Sequence, residues 1–276
     1  MRVGLSSIAY LPVVVRIIIF ALFLLFCWTP FLLIIHIGVS KDANLASILA
    51  MSIVGIEFLI LLKLWSYHVY QISSGFEYYG WEWTPTSCLK ALQGLGLGLS
   101  FCLGLFFLES ILGWLHISPP SFDTYLIAFQ GLMSALAVAF FEELFFRGFI
   151  LCELERNLNK SVALISTSLL FATLHFIKPL SEIIKTLPQF PALILLGMIL
   201  VWAKRLNCGR LGLSIGIHAG LIWGYYILNV GGLLIYTSNV PQWLTGINHN
   251  PLSGLMGLLF LSLLAQQMKS RSSNHR

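Results

Sequence analysis

Three stretches of this chain place acids and imidazoles inside otherwise apolar sequence. The first is AFFEELFFRGF, where Glu142, Glu143 and Arg147 sit among phenylalanines. On a helix, Glu143 and Arg147 are four residues apart and share a face, so they can form an ion pair. Glu142 is turned about 100° away and is left free to work. The second stretch is SLLFATLHF, with Phe171 and His175 on one helical face. The third is LGLSIGIHAGLIWGY, with His218 well inside an apolar run. Charges at bilayer depth are costly and by default point to function. Alone, the first stretch could be a buried polar clamp, and each histidine could be hydrogen-bonded packing. A carboxylate and two imidazoles on three separate helices instead make a candidate converging site.

Such a set suits hydrolysis, which needs an activated water and stabilisation of the developing oxyanion. A carboxylate held in a low-dielectric cavity is a better base, which suits Glu142. His175 could hold the same water, and His218 could donate to the oxyanion. Alternatively, Glu142, His175 and His218 could bind a divalent metal such as Zn²⁺, since two histidines and a glutamate leave a position open for water. Both routes, with no cofactor or with a metal, stay open. The set lacks a clear spare carboxylate to act as base beside a metal, which leans towards the glutamate route.

The elements that must position these groups are membrane helices. Of 276 residues, 58% are hydrophobic and only 10% charged, with a mean hydropathy of +0.87. Soluble domains average about 25% charged residues. The bilayer must be the solvent, and only helices or closed barrels span it. Barrel strands alternate apolar and polar residues, whereas these apolar runs are continuous. The expected fold is an all-α, polytopic membrane helical bundle of about eight transmembrane helices. The spans are expected at about residues 17–37, 44–67, 91–115, 125–152, 162–177, 190–203, 211–230 and 252–268. The first run is too long for a cleavable signal peptide and lacks a small-residue cleavage site, so it is read as the first span.

Loop charges orient the bundle. Arg2, Lys90, Arg156, Lys160, Lys204, Arg205, Arg210, Lys269, Arg271 and Arg276 fall on one side, and Lys41, Lys178 and Lys185 on the other. The positive-inside rule then puts both termini in the cytoplasm. The site is expected near that face, in a cavity opened towards it, because Arg147 is close in sequence to Arg156. The net charge of +5 is scattered over the chain without a basic face, which argues against a nucleic-acid partner. The five cysteines are widely spaced without a CxxC, against a disulfide framework or a thiolate metal site.

Residues 1–120 are expected to hold the first three helices and an interfacial aromatic loop, 71–87, with a short helix in it. Residues 121–235 hold helices four to seven and the candidate catalytic core. Residues 236–276 hold the last loop, the eighth helix and a basic cytoplasmic tail. Gly94 and Gly98 form a GxxxG that could let helices approach closely. Glu57 and Glu109 are expected to pair with polar groups on neighbouring helices, and Lys63 to snorkel. His36, His68, His116 and His249 fall towards span ends or loops.

The ordered set EExxxR, FxxxH and a histidine in a later span resembles the CPBP intramembrane proteases. These comprise the type II CAAX prenyl endopeptidases and bacteriocin-processing or immunity proteins, also called the Abi family. The matching region runs from about Ala139 to Tyr226. The sequence around His218 (SIGIHAGLIWG) and the tail NPLSGLMGLL are most similar to cyanobacterial or plastid-lineage members, and the chain is expected in a plasma membrane or a thylakoid-type membrane. The resemblance implies an intramembrane endopeptidase acting on membrane proteins or peptides in the lipid bilayer. It makes Glu142 the residue that activates water. Glu143 and Arg147 complete the first motif, Phe171 and His175 match the second, and His218 matches the third. The family's third motif usually ends in Asn or Asp four residues on, where this chain has Ile222. Ile222 can neither ligate a metal nor donate a hydrogen bond. That departure keeps a catalytically inactive membrane scaffold or assembly factor as an alternative, and Asn229, on the same helix, is a candidate substitute. A small transporter, binding its substrate at polar midplane residues, is a third class.

Overall fold

In lipid each backbone N–H and C=O must find its partner within the chain, and the long apolar runs accordingly fold as helices. The computed structural model describes residues 4–39, 42–237 and 239–274, so Arg2, Lys41 and Arg276 from the charge balance lie outside the described residues. The helices are α1 (Val13–Gly38), α2 (Ala43–Tyr70), α3 (Gly75–Tyr78), α4 (Pro85–Ile111), α5 (Phe122–Glu143), α6 (Leu151–Glu155), α7 (Lys160–Leu174), α8 (Leu180–Thr186), α9 (Phe190–Leu206), α10 (Gly212–Asn229), α11 (Gln242–Thr245) and α12 (Leu255–Asn274). Strand β1 (Leu115–Ile117) pairs antiparallel with β2 (Leu234–Tyr236). A π-helical segment, Leu144–Ile150, joins α5 to α6.

Each of the eight expected spans contains a helix, though α4 and α7 end at Ile111 and Leu174, short of the expected bounds. Among the described residues five helical stretches, rather than the expected eight, are long and apolar enough to cross a membrane: Val13–Gly38, Ala43–Tyr70, Pro85–Ile111, Phe122–Glu155 and Leu180–Leu206. The last is longer than the apolar run read from sequence, because α8 and the turn Leu187–Gln189 carry it back to Leu180. α7 is shorter, at 15 residues. Large apolar side chains such as Phe26, Phe107 and Phe129 face outwards, as a lipid-solvated surface requires. The chain is therefore an all-α, multi-pass integral membrane protein. The aromatic loop carries a short helix, α3, as expected.

Helix starts follow local chemistry. Asp42 caps α2 by accepting from the Leu45 N–H at 2.9 Å. Thr84 caps α4 just ahead of Pro85, whose ring suits the first helical position. Ser121 and Thr124 form a reciprocal capping box at α5.

The chain divides into two units. One comprises residues 1–80 and 152–159 and the other 81–151 and 160–276. In the first, Glu153 is buried and collects the Arg16 Nε–H at 2.7 Å, the Trp65 Nε1–H at 3.2 Å and the Tyr70 hydroxyl at 2.6 Å. Arg16 spends its remaining N–H groups on the Ala9, Leu11 and Glu153 carbonyls and on Asn157 Oδ1. This buried ion pair ties α1, α2 and α6 together.

In the second unit, α4 and α10 pack backbone to backbone. A Cβ on Gly94 would lie 2.5 Å from the Leu213 oxygen, and one on Gly98 would meet the Ile217 oxygen. From the other side, Cβ atoms on Gly216 and Gly220 would meet the carbonyl oxygens of Ala91 and Leu95. Numbers rise together along both helices, so α4 and α10 run parallel. α5 runs antiparallel to α10: Gly131 faces Tyr226, the Trp223 Nε1–H donates to the Ala128 oxygen at 2.8 Å, and Ala135, Ala139 and Ala219 share one cluster. On the other flank α7, α9 and α12 enclose the main apolar core around Phe171, Leu196, Leu200 and Leu264. There Gly197 lets α9 approach α7 at Ser168.

Candidate functional site

The spacing of Glu143 and Arg147 predicts an ion pair, and the two side chains form it fully buried, with Nη1 at 2.8 Å from Glu143 Oε1. Arg147 also donates Nη2–H to the Gly197 oxygen at 3.3 Å, and its guanidinium lies 4.3 Å from the Phe171 ring centroid. Phe171 thus serves as a lid over the cation. The same Glu143 oxygen faces His218 Nδ1 at 3.0 Å. A carboxylate can only accept here, so His218 Nδ1 carries hydrogen and Nε2 is turned outward. Nε2 lies 3.9 Å from Glu142 Oε2, an oxygen without a hydrogen-bond partner among the described residues.

His175 follows directly on the last turn of α7. Its Nδ1 lies 2.7 Å from the Phe171 carbonyl oxygen. A carbonyl cannot donate, so this ring also holds its hydrogen on Nδ1 and presents Nε2. Phe171 packs against both imidazoles, with ring centroids 4.5 Å from His175 and 6.1 Å from His218.

The π-helical segment begins one residue after Glu143. Such insertions shift side chains around the helix and leave carbonyls out of the regular ladder. Two of those carbonyls are served from outside: Thr167 Oγ1 donates to the Phe146 oxygen at 3.3 Å, and Lys204 Nζ to the Arg147 oxygen at 2.6 Å. The segment is thereby pinned to α7 and α9, and with it the position of Arg147.

Glu142, His175 and His218 all line one cavity of about 350 Å³. Its walls are mostly apolar, including Phe101, Leu105, Val138, Leu193, Ile222 and Phe260. Further polar residues on it are Gln189, Tyr225 and Asn250. Ile222 therefore does face the cavity, whereas Asn229 is exposed and is not among the lining residues. Among the described residues no group of three His, Cys, Asp or Glu side chains is drawn together closely enough to hold a metal ion. The donor types of Glu142, His175 and His218 suit zinc, but their spacing does not fit one.

Two expectations are corrected. Among the described residues Glu109 does not pair: it is fully buried and neither carboxylate oxygen has a hydrogen-bond partner, and one oxygen of Glu57 is also without one. Neither residue lines the cavity. Second, the cavity reaches the loops holding Gln189 and Asn250–Leu252, at the starts of α9 and α12. Lys204 and Arg205 lie at the far end of α9, and Arg210 in the turn between α9 and α10. The site was expected to open at the basic end because Arg147 is near Arg156 in sequence, but Glu142 sits mid-way along Phe122–Glu155 and His175 lies at the end of α7 away from Lys160.

Gln189, Tyr225 and Asn250 were missed from sequence. Each sits at a helix end, in a loop or among ordinary aromatic residues, with no motif spacing to single it out. No curated protein and no solved structure matches the chain. Residues 124–224, which carry Glu142, Glu143, Arg147, Phe171, His175 and His218, match the family model for type II CAAX prenyl endopeptidase Rce1-like proteins.

Proposed function

We propose that the chain is an intramembrane endopeptidase that hydrolyses peptide bonds of membrane-associated proteins or peptides, with Glu142 as the general base. The observation that carries this is the convergence of Glu142, His175 and His218 on one largely apolar cavity, each imidazole held by its Nδ1. Glu142 takes a proton from water as the water oxygen bonds to the substrate carbonyl carbon. It then returns that proton to the leaving amine as the C–N bond breaks. His175 Nε2 orients the water, and His218 Nε2, when protonated, donates to the oxyanion. Glu143 and Arg147 act through His218: they fix its ring and neutralise one another. The substrate enters from the bilayer, and the termini lie on the cytoplasmic side of a plasma or thylakoid-type membrane.

Ile222 on the cavity wall favours a second reading, a catalytically silent membrane scaffold that keeps the fold. Comparative membrane proteomics of wild type against Glu142→Ala separates the two. Protein fragments present with wild type and absent with Glu142→Ala are expected. Identical fragment profiles, with partner capture unchanged by Glu142→Ala, would establish the scaffold instead.

A further inference from the structure

The cavity has a base and two imidazoles, yet Ile222 puts methyl groups on the wall of α10. A neutral hydrogen-bond donor has to come from elsewhere. We propose that the carboxamide of Asn250 is that donor, binding the substrate carbonyl oxygen opposite Glu142. This rests on the protease reading above and adds to it a residue outside the matched segment, 124–224.

Three observations converge on Asn250. It lines the same cavity as Glu142, His175 and His218. Its Oδ1 accepts the Leu252 backbone N–H at 3.0 Å. That bond settles which end of the amide is which, so the NH₂ is the end left over. Among the described residues no hydrogen bond takes the Asn250 NH₂.

The loop that carries it is held unusually firmly. Asn248 and His249 both adopt positive φ, 53° and 63°. Consecutive non-glycine residues in that region persist only where the surroundings over-determine them, and such strain gathers at functional sites. Here Ser253 Oγ donates to the Asn250 and Ile247 oxygens at 2.8 and 3.1 Å. The Tyr225 hydroxyl donates to the His249 oxygen at 3.3 Å, and the Tyr236 ring stacks on His249 at 4.0 Å. Tyr225 thereby commits its hydrogen away from the cavity. Gln189 is the other amide on the wall, but among the described residues no side-chain hydrogen bond orients it. Asn250 is the one whose amide is fixed by a hydrogen bond, and preorganised donors are what stabilise an oxyanion.

The test uses full-length enzyme in detergent and a quenched fluorescent peptide copied from a fragment that the Glu142→Ala comparison identifies. Asn250→Asp keeps an oxygen for the Leu252 N–H and removes the NH₂ donor, so the loop stays folded. Asn250→Ala removes both. Loss of one oxyanion donor costs about 10²–10³-fold in turnover. The expected result is a fall of that order in kcat for Asn250→Asp, with KM within about threefold and an unchanged unfolding temperature. Adding Ile222→Asn to Asn250→Ala should recover part of the loss. Wild-type kcat in Asn250→Asp, with Glu142→Ala inactive, overturns the Asn250 assignment and leaves the protease reading standing. Absence of any Glu142-dependent fragment overturns the protease reading itself, and the Asn250 role with it.

Discussion

Gly98 lies 44 residues before Glu142 in the sequence, yet a single methyl group there should disturb the site. A Cβ at this position would stand 2.9 Å from the Leu221 nitrogen and still closer to the Ile217 oxygen. Both atoms are backbone, so no side chain can swing aside. α4 and α10 would have to part by roughly 1 Å, a displacement that can lower an enzyme's rate about 10²-fold when it reaches reacting groups. The displaced segment of α10 includes His218, which Glu143 holds at 3.0 Å. Overpacking of this kind costs about 1–3 kcal/mol, against a gain of about 1 kcal/mol from replacing glycine by alanine within a helix. Gly98→Ala should therefore lower the unfolding temperature in detergent and depress Glu142-dependent cleavage. Gly96 is the internal control, because a Cβ there meets nothing within 4 Å. Gly96→Ala should be neutral or slightly stabilising. Equal melting curves and equal cleavage for the two variants would refute the backbone-to-backbone account of α4 and α10.

Two further substitutions probe the buried charges. Arg147→Leu leaves Glu143 fully buried without its cation, with His218 still hydrogen-bonded to it, and breaking a buried ion pair costs about 3–5 kcal/mol. Denaturation in mild detergent should show a large loss, and the double variant Glu143→Leu/Arg147→Leu should be less destabilised than Arg147→Leu alone; the opposite order would mean that the pair does not share its charge as drawn. Glu109→Met removes a carboxylate with no partner for either oxygen. An unsatisfied buried polar group costs about 1–3 kcal/mol, so this variant should melt higher than wild type with cleavage unchanged, and a lower melting temperature would show that Glu109 has an essential partner.

What could be read before folding, and what could not, divides along contact distance. The ion pair of Glu143 and Arg147 was legible because four residues is a helical turn, and the same rule placed Phe171 beside His175. Gly94 and Gly98 signalled a close approach by the same arithmetic, but their partner was not legible. The complementary spacing, Gly216 and Gly220, lies more than a hundred residues away and becomes meaningful only once α4 and α10 are known to be parallel. Arg16 and Glu153 are 137 residues apart, so nothing local distinguished that buried pair from an ordinary charge near a helix end. Glu109 failed in the other direction: burial of a carboxylate suggested a partner, and none was there. The direction of the cavity failed because basic residues mark where a helix ends, whereas the cavity depends on which loops fold over it. The resemblance carried by EExxxR, FxxxH and His218 worked because all three signals are local to a turn, so each survives being read without its neighbours. Asn250 has no such local signal, since its claim rests on a strained loop meeting a wall built from α4, α9 and α10. A residue that completes a site from outside its motif is visible only in three dimensions, and the donor role proposed for Asn250 is of that kind.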